Sequence, residues 1–391
     1  MHRASHDQPP SLGAMTENSV GPLVLLNPGP ACTTDRVRAA LGRGDWCHRE
    51  PEFSELLASI RSGLSRVLNV GDTHEAVVVT GSGTSAMEMA VISAVRADRS
   101  ILVVRNGVYG DRLARIAEVH GITVHSVGSE WTEPADPEAV RAALAEHPDV
   151  DAVAVVQHET TTGMINPVGA IGKVAQEAGV LLLVDAISAT AIEDEGHEDL
   201  NADIICGTAN KGLHGLPGIS FILCSAKGIE RIQEVPVRSL YLNANTYLTG
   251  QRKGDVPFTP AVQVCFALDE AIKELEERGG VAARVAEYKQ RAALVRAGFE
   301  RLGLSVLIPE EHRSNSISMI YLPEGIAYTE LHDALKDEGF VIYAGQGDLA
   351  KTFFRVSTMG ELPLPVLERF LVSLETSIAK IRAGRQESAL R

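Results

Sequence analysis

Residues 76–86, AVVVTGSGTSA, hold the reading on which the fold turns. Ala76–Thr80 is a short, valine-rich run, apolar at consecutive positions and too short for a helix. Such a run suits a strand covered on both faces, as in a parallel sheet. It passes straight into Gly81-Ser82-Gly83-Thr84-Ser85-Ala86 and then into a helical pattern over Ala86–Ala97. Backbone N–H groups at a helix N-terminus, helped by the local dipole, bind phosphate. Ser82 and Thr84 add hydroxyl donors beside Gly83. The spacing also fits GxGxxA, a dinucleotide fingerprint. A nicotinamide nucleotide, a different phosphate ligand and a plain tight turn are all open at this point.

The same unit repeats outward from there. Ile101–Val104, Ile122–His125, Ala152–Val156 and Val180–Val184 read as strands, with amphipathic helices between them at Asp111–His120, Pro137–His147 and Val168–Ala178. This alternation predicts an α/β fold with a mostly parallel, doubly wound sheet flanked by helices. Further strands are expected at Ile204–Cys206 and Ile219–Cys224. Upstream, Glu52–Leu68 places Phe53, Leu56, Leu57, Ile60, Leu64, Val67 and Leu68 on one helical face. Downstream, helices over Val262–Arg278 and Val281–Leu302 are split by Gly279-Gly280. Then the texture changes to strands at Ser316–Tyr321, Phe340–Tyr343 and Thr352–Ser357, with helices at Thr329–Glu338 and Pro365–Ile381. The expected organisation is a tail over residues 1–20, a large cofactor-binding domain over 21–279 and a smaller α+β domain over 280–391. The start of the large domain is expected to pack on the small one.

Composition sets limits. The chain has 391 residues, 45% apolar and 22% charged, and is large enough to bury a core without disulfides or metal. Its formal charge of −15 argues against a basic nucleic-acid surface, so no nucleic-acid partner is expected. Cys32, Cys47, Cys206, Cys224 and Cys265 are scattered without CxxC spacing, as for thiols in a reducing cytoplasm. No run approaches the ~18 apolar residues of a membrane span. The opening residues lack the apolar core of a signal peptide, and Met15 offers an alternative start. A cytoplasmic protein with no membrane partner and no metal is expected.

Two further positions carry chemistry. Asp185 ends the VLLLV strand, where parallel sheets bind ligands, although a helix N-cap would use the same residue. Lys211 sits in TANKGLHGLPG, a small-residue, glycine-rich segment that follows a strand. A phosphate cradle, a strand-end Asp about 100 residues later and a Lys 26 residues beyond it form a constellation that suits pyridoxal 5′-phosphate. The lysine would form the Schiff base, the Asp would keep the ring nitrogen protonated and the turn would hold the phosphate.

These residues lie in segments that resemble the class V, fold type I pyridoxal-phosphate aminotransferases. The segments are LLNPGP (25–30), CHREPEF (47–53), GSGTSAME (81–88), RNGVYG (105–110), HETTTGMINP (158–167), VDAISA (184–189), ANKGLHGLPG (209–218), PFTPAVQ (257–263) and FRVSTMG (354–360). They run in family order over nearly the whole chain. ETTTGM and the ANKGLHGLPG segment point to the branch that moves the amino group of 2-aminoethylphosphonate onto pyruvate. Alanine–glyoxylate, serine–pyruvate and phosphonoalanine donors stay open. A desulfurase is disfavoured, since no cysteine follows Cys265.

The resemblance implies roles residue by residue. Lys211 would carry the cofactor and shuttle the proton, and Asp185 would pair with the ring nitrogen. Ser82, Gly83 and Thr84 would hold the phosphate. Tyr109 would stack on the ring and Thr160 would bond its 3′-oxygen. Thr259 would reach the partner subunit's cofactor phosphate, because the family forms homodimers with active sites at the interface. Arg355 would grip the acidic group of the amine and 2-oxo acid substrates, with Gly29 making a backbone contact nearby. In Asp45–Glu50 (DWCHRE), His48 and Arg49 are candidate selectors of a phosphonate, although a solvated charge run fits the same residues. Residues 238–255 match only loosely and are expected near the active site or the partner. From a different class, an NAD(P)-dependent dehydrogenase fits GxGxxA, with Arg105 placed for a 2′-phosphate.

Overall fold

The computed structural model describes residues 23–193 and 200–389. The expected tail over 1–20 lies outside the described residues. At the centre is a seven-stranded sheet in the order His74–Gly81, Gly218–Ser225, Ile204–Thr208, Leu181–Asp185, Val150–Val156, Ser100–Arg105, Thr123–Gly128. Gly218–Ser225 runs antiparallel to both neighbours, and the remaining neighbour pairs run parallel. The mostly parallel, doubly wound α/β sheet read from the valine-rich runs is therefore present.

Side-chain alternation explains why the runs are apolar throughout. Successive residues of a strand point to opposite faces. Val78, Val153 and Val155 join one core with Phe53, Ile60 and Phe266, whereas Val77, Val79, Ala152 and Ala154 join another with Met87, Ile92 and Leu113. Both faces are covered, so neither parity can be polar. The edge strand Thr123–Gly128 has one neighbour and mixes exposed with half-buried positions, which matches its Thr, His and Ser content.

Helix Pro51–Val67 starts with proline in its first turn, where the missing N–H is harmless. Its apolar face, Phe53, Leu56, Leu57, Ile60, Leu64 and Val67, is buried. It packs on helix Val262–Glu277, where a Cβ on Gly63 would stand 2.7 Å from Ile272 Cγ2. Gly63 thus sets the helix separation.

A third core gathers Leu26, Val295, Phe299, Phe340, Phe354 and Phe370 around an antiparallel sheet ordered Ile317–Tyr321, Phe353–Ser357, Tyr343–Ala344. Helices Gly280–Arg301, Tyr328–Asp337 and Leu364–Ala389 belong to this region. The stretch read as one strand, Phe340–Tyr343, is two. Phe340–Val341 pairs in parallel with Val24–Leu25, and Tyr343–Ala344 joins the three-stranded sheet. Ile342 lies between them, fully buried in the third core, at the point where the chain changes partners.

Three short helices, Asp35–Ala39, Ala226–Glu234 and Ala244–Gln251, were not evident from periodicity. Ala244–Gln251 (ANTYLTGQ) has no regular apolar stripe, and its start rests on the Asn243 side chain accepting from Thr246 N at 3.1 Å. No helix among the described residues is long and apolar enough to cross a membrane.

Candidate active site

The site forms at the carboxyl ends of the parallel strands, where such sheets leave a crevice. Strand Leu181–Asp185 delivers Asp185, only 4% exposed. Its Oδ1 accepts from Ile187 N at 3.0 Å. Burial pushes its carboxyl up to about 7, against the pull of the Ile187 amide and the positive charges of Lys211 and Arg112, and with some help from Glu159.

Strand Ile204–Thr208 leads to Lys211. Its turn is tight, because a Cβ on Gly212 would lie 2.1 Å from the Thr190 carbonyl oxygen. Lys211 Nζ donates to the Pro28 carbonyl. Burial lowers its pKa to about 8, Asp185 opposes the shift, and Arg355 and Arg112 reinforce it. Gly29 lies against the same side chain, and a Cβ there would stand 2.9 Å from Lys211 Cε and Nζ.

The glycine-rich turn opens helix Gly83–Ala94, with Ser82 as its N-cap. The Ser82 hydroxyl caps no helical amide. Ser85 instead bonds the Ser82 carbonyl through N (2.8 Å) and Oγ (2.7 Å). Thr84 Oγ1 accepts from Arg112 Nη1 at 3.3 Å. The Arg112 guanidinium lies 4.6 Å from the centroid of the Tyr109 ring, a cation–π contact.

Thr160 and Arg355 meet although they are far apart in the chain. Arg355 Nη1 donates to the Thr160 carbonyl at 3.0 Å, and its Nε donates to the Ala344 carbonyl at 2.9 Å. Arg355 is 5% exposed, and burial lowers its pKa. Among the described residues it has no carboxylate partner. The Thr160 hydroxyl is buried with no hydrogen-bond partner.

Two residues missed in the sequence complete the arrangement. Glu159 is fully buried and accepts from Tyr109 N (3.2 Å), Gly110 N (3.3 Å), Thr161 N (3.0 Å) and Thr161 Oγ1 (2.5 Å). It therefore satisfies first-turn amides of helix Val108–Val119 and fixes the backbone of Tyr109. Burial raises its carboxyl pKa. Arg112 follows Tyr109 by three, the one local signal that the two share a helix face.

The structure thus brings together Gly29, Thr84, Tyr109, Thr160, Asp185, Lys211 and Arg355, with Ser82 and Gly83 at the adjoining helix start. It does not bring Arg49 or Thr259 into hydrogen-bond contact with them within this chain. Arg49 pairs with Asp255 and donates to the Val256 carbonyl at 2.7 Å. Thr259 is exposed, beside a small cavity also lined by Thr80, Tyr241 and Phe258. His48 is half-buried.

The residues fit pyridoxal phosphate. The orphaned Thr160 hydroxyl needs an acceptor or donor, the helix start at Gly83 has no side-chain cap, and a lysine and a carboxyl are enclosed within reach of each other's charge. Lys211, Asp185, Thr160 and the Ser82–Thr84 turn could hold its aldehyde carbon, ring nitrogen, ring oxygen and phosphate.

The arrangement defines a class. The class-V aminotransferase family matches residues 36–358, and the chain belongs to that family. The dinucleotide reading of GxGxxA is set aside with it. Among relatives, the 2-aminoethylphosphonate–pyruvate transaminase of Syntrophobacter fumaroxidans is 35% identical over 347 residues, covering 87% of this chain and 92% of that protein. The enzyme of the same name from Vibrio vulnificus is 33% identical, covering 91% and 97%. Among solved structures, alanine–glyoxylate aminotransferase from Nostoc sp. superposes with a TM-score of 0.88 at 25% identity, covering 93% of this chain and 97% of that one.

Proposed function

We propose that the protein is a pyridoxal-phosphate transaminase that exchanges the amino group of 2-aminoethylphosphonate with the oxo group of pyruvate, giving phosphonoacetaldehyde and L-alanine, or runs the reverse. The observation that carries the reading is an enclosed lysine with a lowered pKa beside a buried carboxyl, faced by an arginine that has no carboxylate partner among the described residues. The substrate pair is supported by relatives of that name at 33–35% identity over most of the chain.

Pyridoxal phosphate, when bound, supplies an electron sink that makes the carbon bearing nitrogen acidic. The chain's residues do the rest. Lys211 Nζ, its pKa lowered to about 8, would take a proton from one carbon and return it to another. Pro28 accepts from that amine and Gly29 leaves it room. Asp185 would hold the ring nitrogen, and a proton on that nitrogen would favour the carboxylate form of Asp185. Thr160 offers its free hydroxyl. Glu159 holds Tyr109 in place through the backbone.

Arg355 has spent Nε and Nη1 on the Ala344 and Thr160 carbonyls, which fixes its plane. Nη2 has no hydrogen-bond partner among the described residues and would serve an anion, and a guanidinium can take either a phosphonate or a carboxylate. One arginine can therefore serve both half-reactions. His48 and Arg49 are retained as selectors of the phosphonate. Arg49→Ala tests this: a raised KM for the aminophosphonate with an unchanged KM for pyruvate supports it, and two unchanged KM values remove it.

The working unit is a homodimer, with Thr259 reaching the neighbouring site. Thr259 is exposed beside exposed Tyr241, and Leu240 is 81% exposed nearby. The deciding experiment is a donor screen with pyruvate as acceptor, following alanine. If 2-aminoethylphosphonate yields no more alanine than common amino acids do, the substrate falls and the class remains.

A further inference from the structure

At the amino ends of the parallel strands, on the side of the sheet opposite Asp185 and Lys211, two histidines and an aspartate converge. His125 lies in the edge strand Thr123–Gly128, His147 caps helix Pro137–Glu146, and Asp149 directly precedes strand Val150–Val156. One ligand atom from each lies within 4.8 Å of the others. Among the described residues it is the one such His, Cys, Asp or Glu group. We infer that His125, His147 and Asp149 form a binding site for a divalent transition-metal ion of the zinc type, remote from the transaminase centre.

The donor set selects the ion. Two imidazoles and one carboxylate suit zinc, cobalt or nickel, whereas magnesium and calcium favour oxygen donors. Three protein ligands leave a fourth position for water in a tetrahedral site.

One pair of donors already has the spacing the ion needs. Bonds of about 2.0–2.1 Å at tetrahedral angles put neighbouring ligand atoms about 3.3 Å apart. His125 Nε2 and Asp149 Oδ2 are 3.4 Å apart. The two imidazole rings stack with centroids 3.7 Å apart and planes 12° from parallel. An imidazole binds an ion in its own ring plane, so ligation would tilt the two rings out of this stack until a nitrogen of each faces one point.

The backbone is already organised. His147 N donates to Ala143 O at 3.0 Å, Val150 N to His147 O at 3.2 Å and Ser100 N to Asp149 O at 3.1 Å. His125 is held opposite Leu102 in the sheet. The contact an ion would displace at His147 is the ring stack on His125, itself one of the three ligands. The neighbouring arginines Arg96 and Arg99 are both engaged with buried Asp151, which moderates their charge. A bound ion would pin the edge strand to the connection between helix Pro137–Glu146 and strand Val150–Val156. That is a structural clip, and transamination should proceed without it.

The test uses tag-free holoenzyme stripped with a chelator, then titrated with zinc by calorimetry and with cobalt by absorbance. Expected are one ion per chain and cobalt d–d bands without the thiolate charge-transfer band that exposed Cys47 would give. His147→Ala and Asp149→Asn should each weaken binding by roughly tenfold or more, with transaminase rates unchanged. An absence of binding, or equal affinity in wild type and both variants, overturns the site.

Discussion

Gly29 and Lys211 are packed so closely that a Cβ on Gly29 would stand 2.9 Å from both Cε and Nζ of the lysine. The glycine also sits at φ +145°, a conformation that other residues rarely adopt. Gly29→Ala should therefore cost about 1–3 kcal/mol in backbone strain and displace the Lys211 amine. We expect kcat to fall by at least an order of magnitude (roughly the effect of a misplaced reacting group), out of proportion to any loss in thermal stability. Steady-state kinetics beside thermal unfolding checks it. A near-normal kcat would show that the contact does not position Lys211.

On the proposed mechanism, Lys211→Ala would remove the proton carrier and the cofactor's anchor together. Turnover should drop by at least about 10²–10⁴, the usual range for a positioned acid–base group, and the cofactor's lysine-dependent visible absorbance should vanish. Retained activity would end the assignment of Lys211.

Asp185 gives the cofactor-free protein a defined pH response. Its carboxyl is raised to about 7 in the folded chain, against about 3.9 when unfolded. Between those values the folded chain keeps the proton and the unfolded chain has lost it. Stability therefore declines as pH rises through this window and levels off above it. Asp185→Asn should be more stable than wild type above about pH 7, by on the order of a few kcal/mol, with the gain fading toward about pH 4. Lys211 acts in a higher window. Lowered to about 8 from 10.5, it adds stability as pH rises between those values. Denaturant titrations of the cofactor-free proteins across pH read both effects, and a pH-independent difference for Asp185→Asn would contradict the first.

Arg355→Lys keeps the charge but loses the planar fork that bonds Ala344 and Thr160 while leaving Nη2 for an anion. We expect KM to rise for both the amine and the 2-oxo acid by roughly 10- to 100-fold, the value of one or two charged hydrogen bonds. A rise for one substrate alone would show that the two anions bind at different places.

Glu159→Gln keeps the shape and halves the acceptor capacity that holds Tyr109 N, Gly110 N and Thr161. A buried unsatisfied donor costs about 1–3 kcal/mol. The variant should unfold at lower temperature and bind pyridoxal phosphate less tightly, as followed by cofactor titration. Unchanged cofactor affinity would make Glu159 a purely structural cap.

Much of this was legible along the chain because its causes are local. Valine-rich runs must be strands buried on both sides, and the glycine-rich turn after Thr80 must open a helix, since each answers to neighbours a few residues away. The split of Phe340–Tyr343 was hidden, because it depends on Val24–Leu25 competing with Phe353–Ser357 for the same stretch. Helix Ala244–Gln251 was hidden for lack of an apolar stripe.

The sequence by itself determined the α/β class and the residue types able to carry amino transfer, because strand-end positions and tight turns follow from short-range pattern. Only the tertiary structure decided what those residues do to one another. The plane of Arg355 is fixed because two of its donors meet carbonyls at Ala344 and Thr160, the latter 195 residues away in the chain. Asp185 and Lys211 shift toward neutral pH because packing removes water from both. Desolvation and long-range hydrogen bonding exist only once the chain has closed on itself.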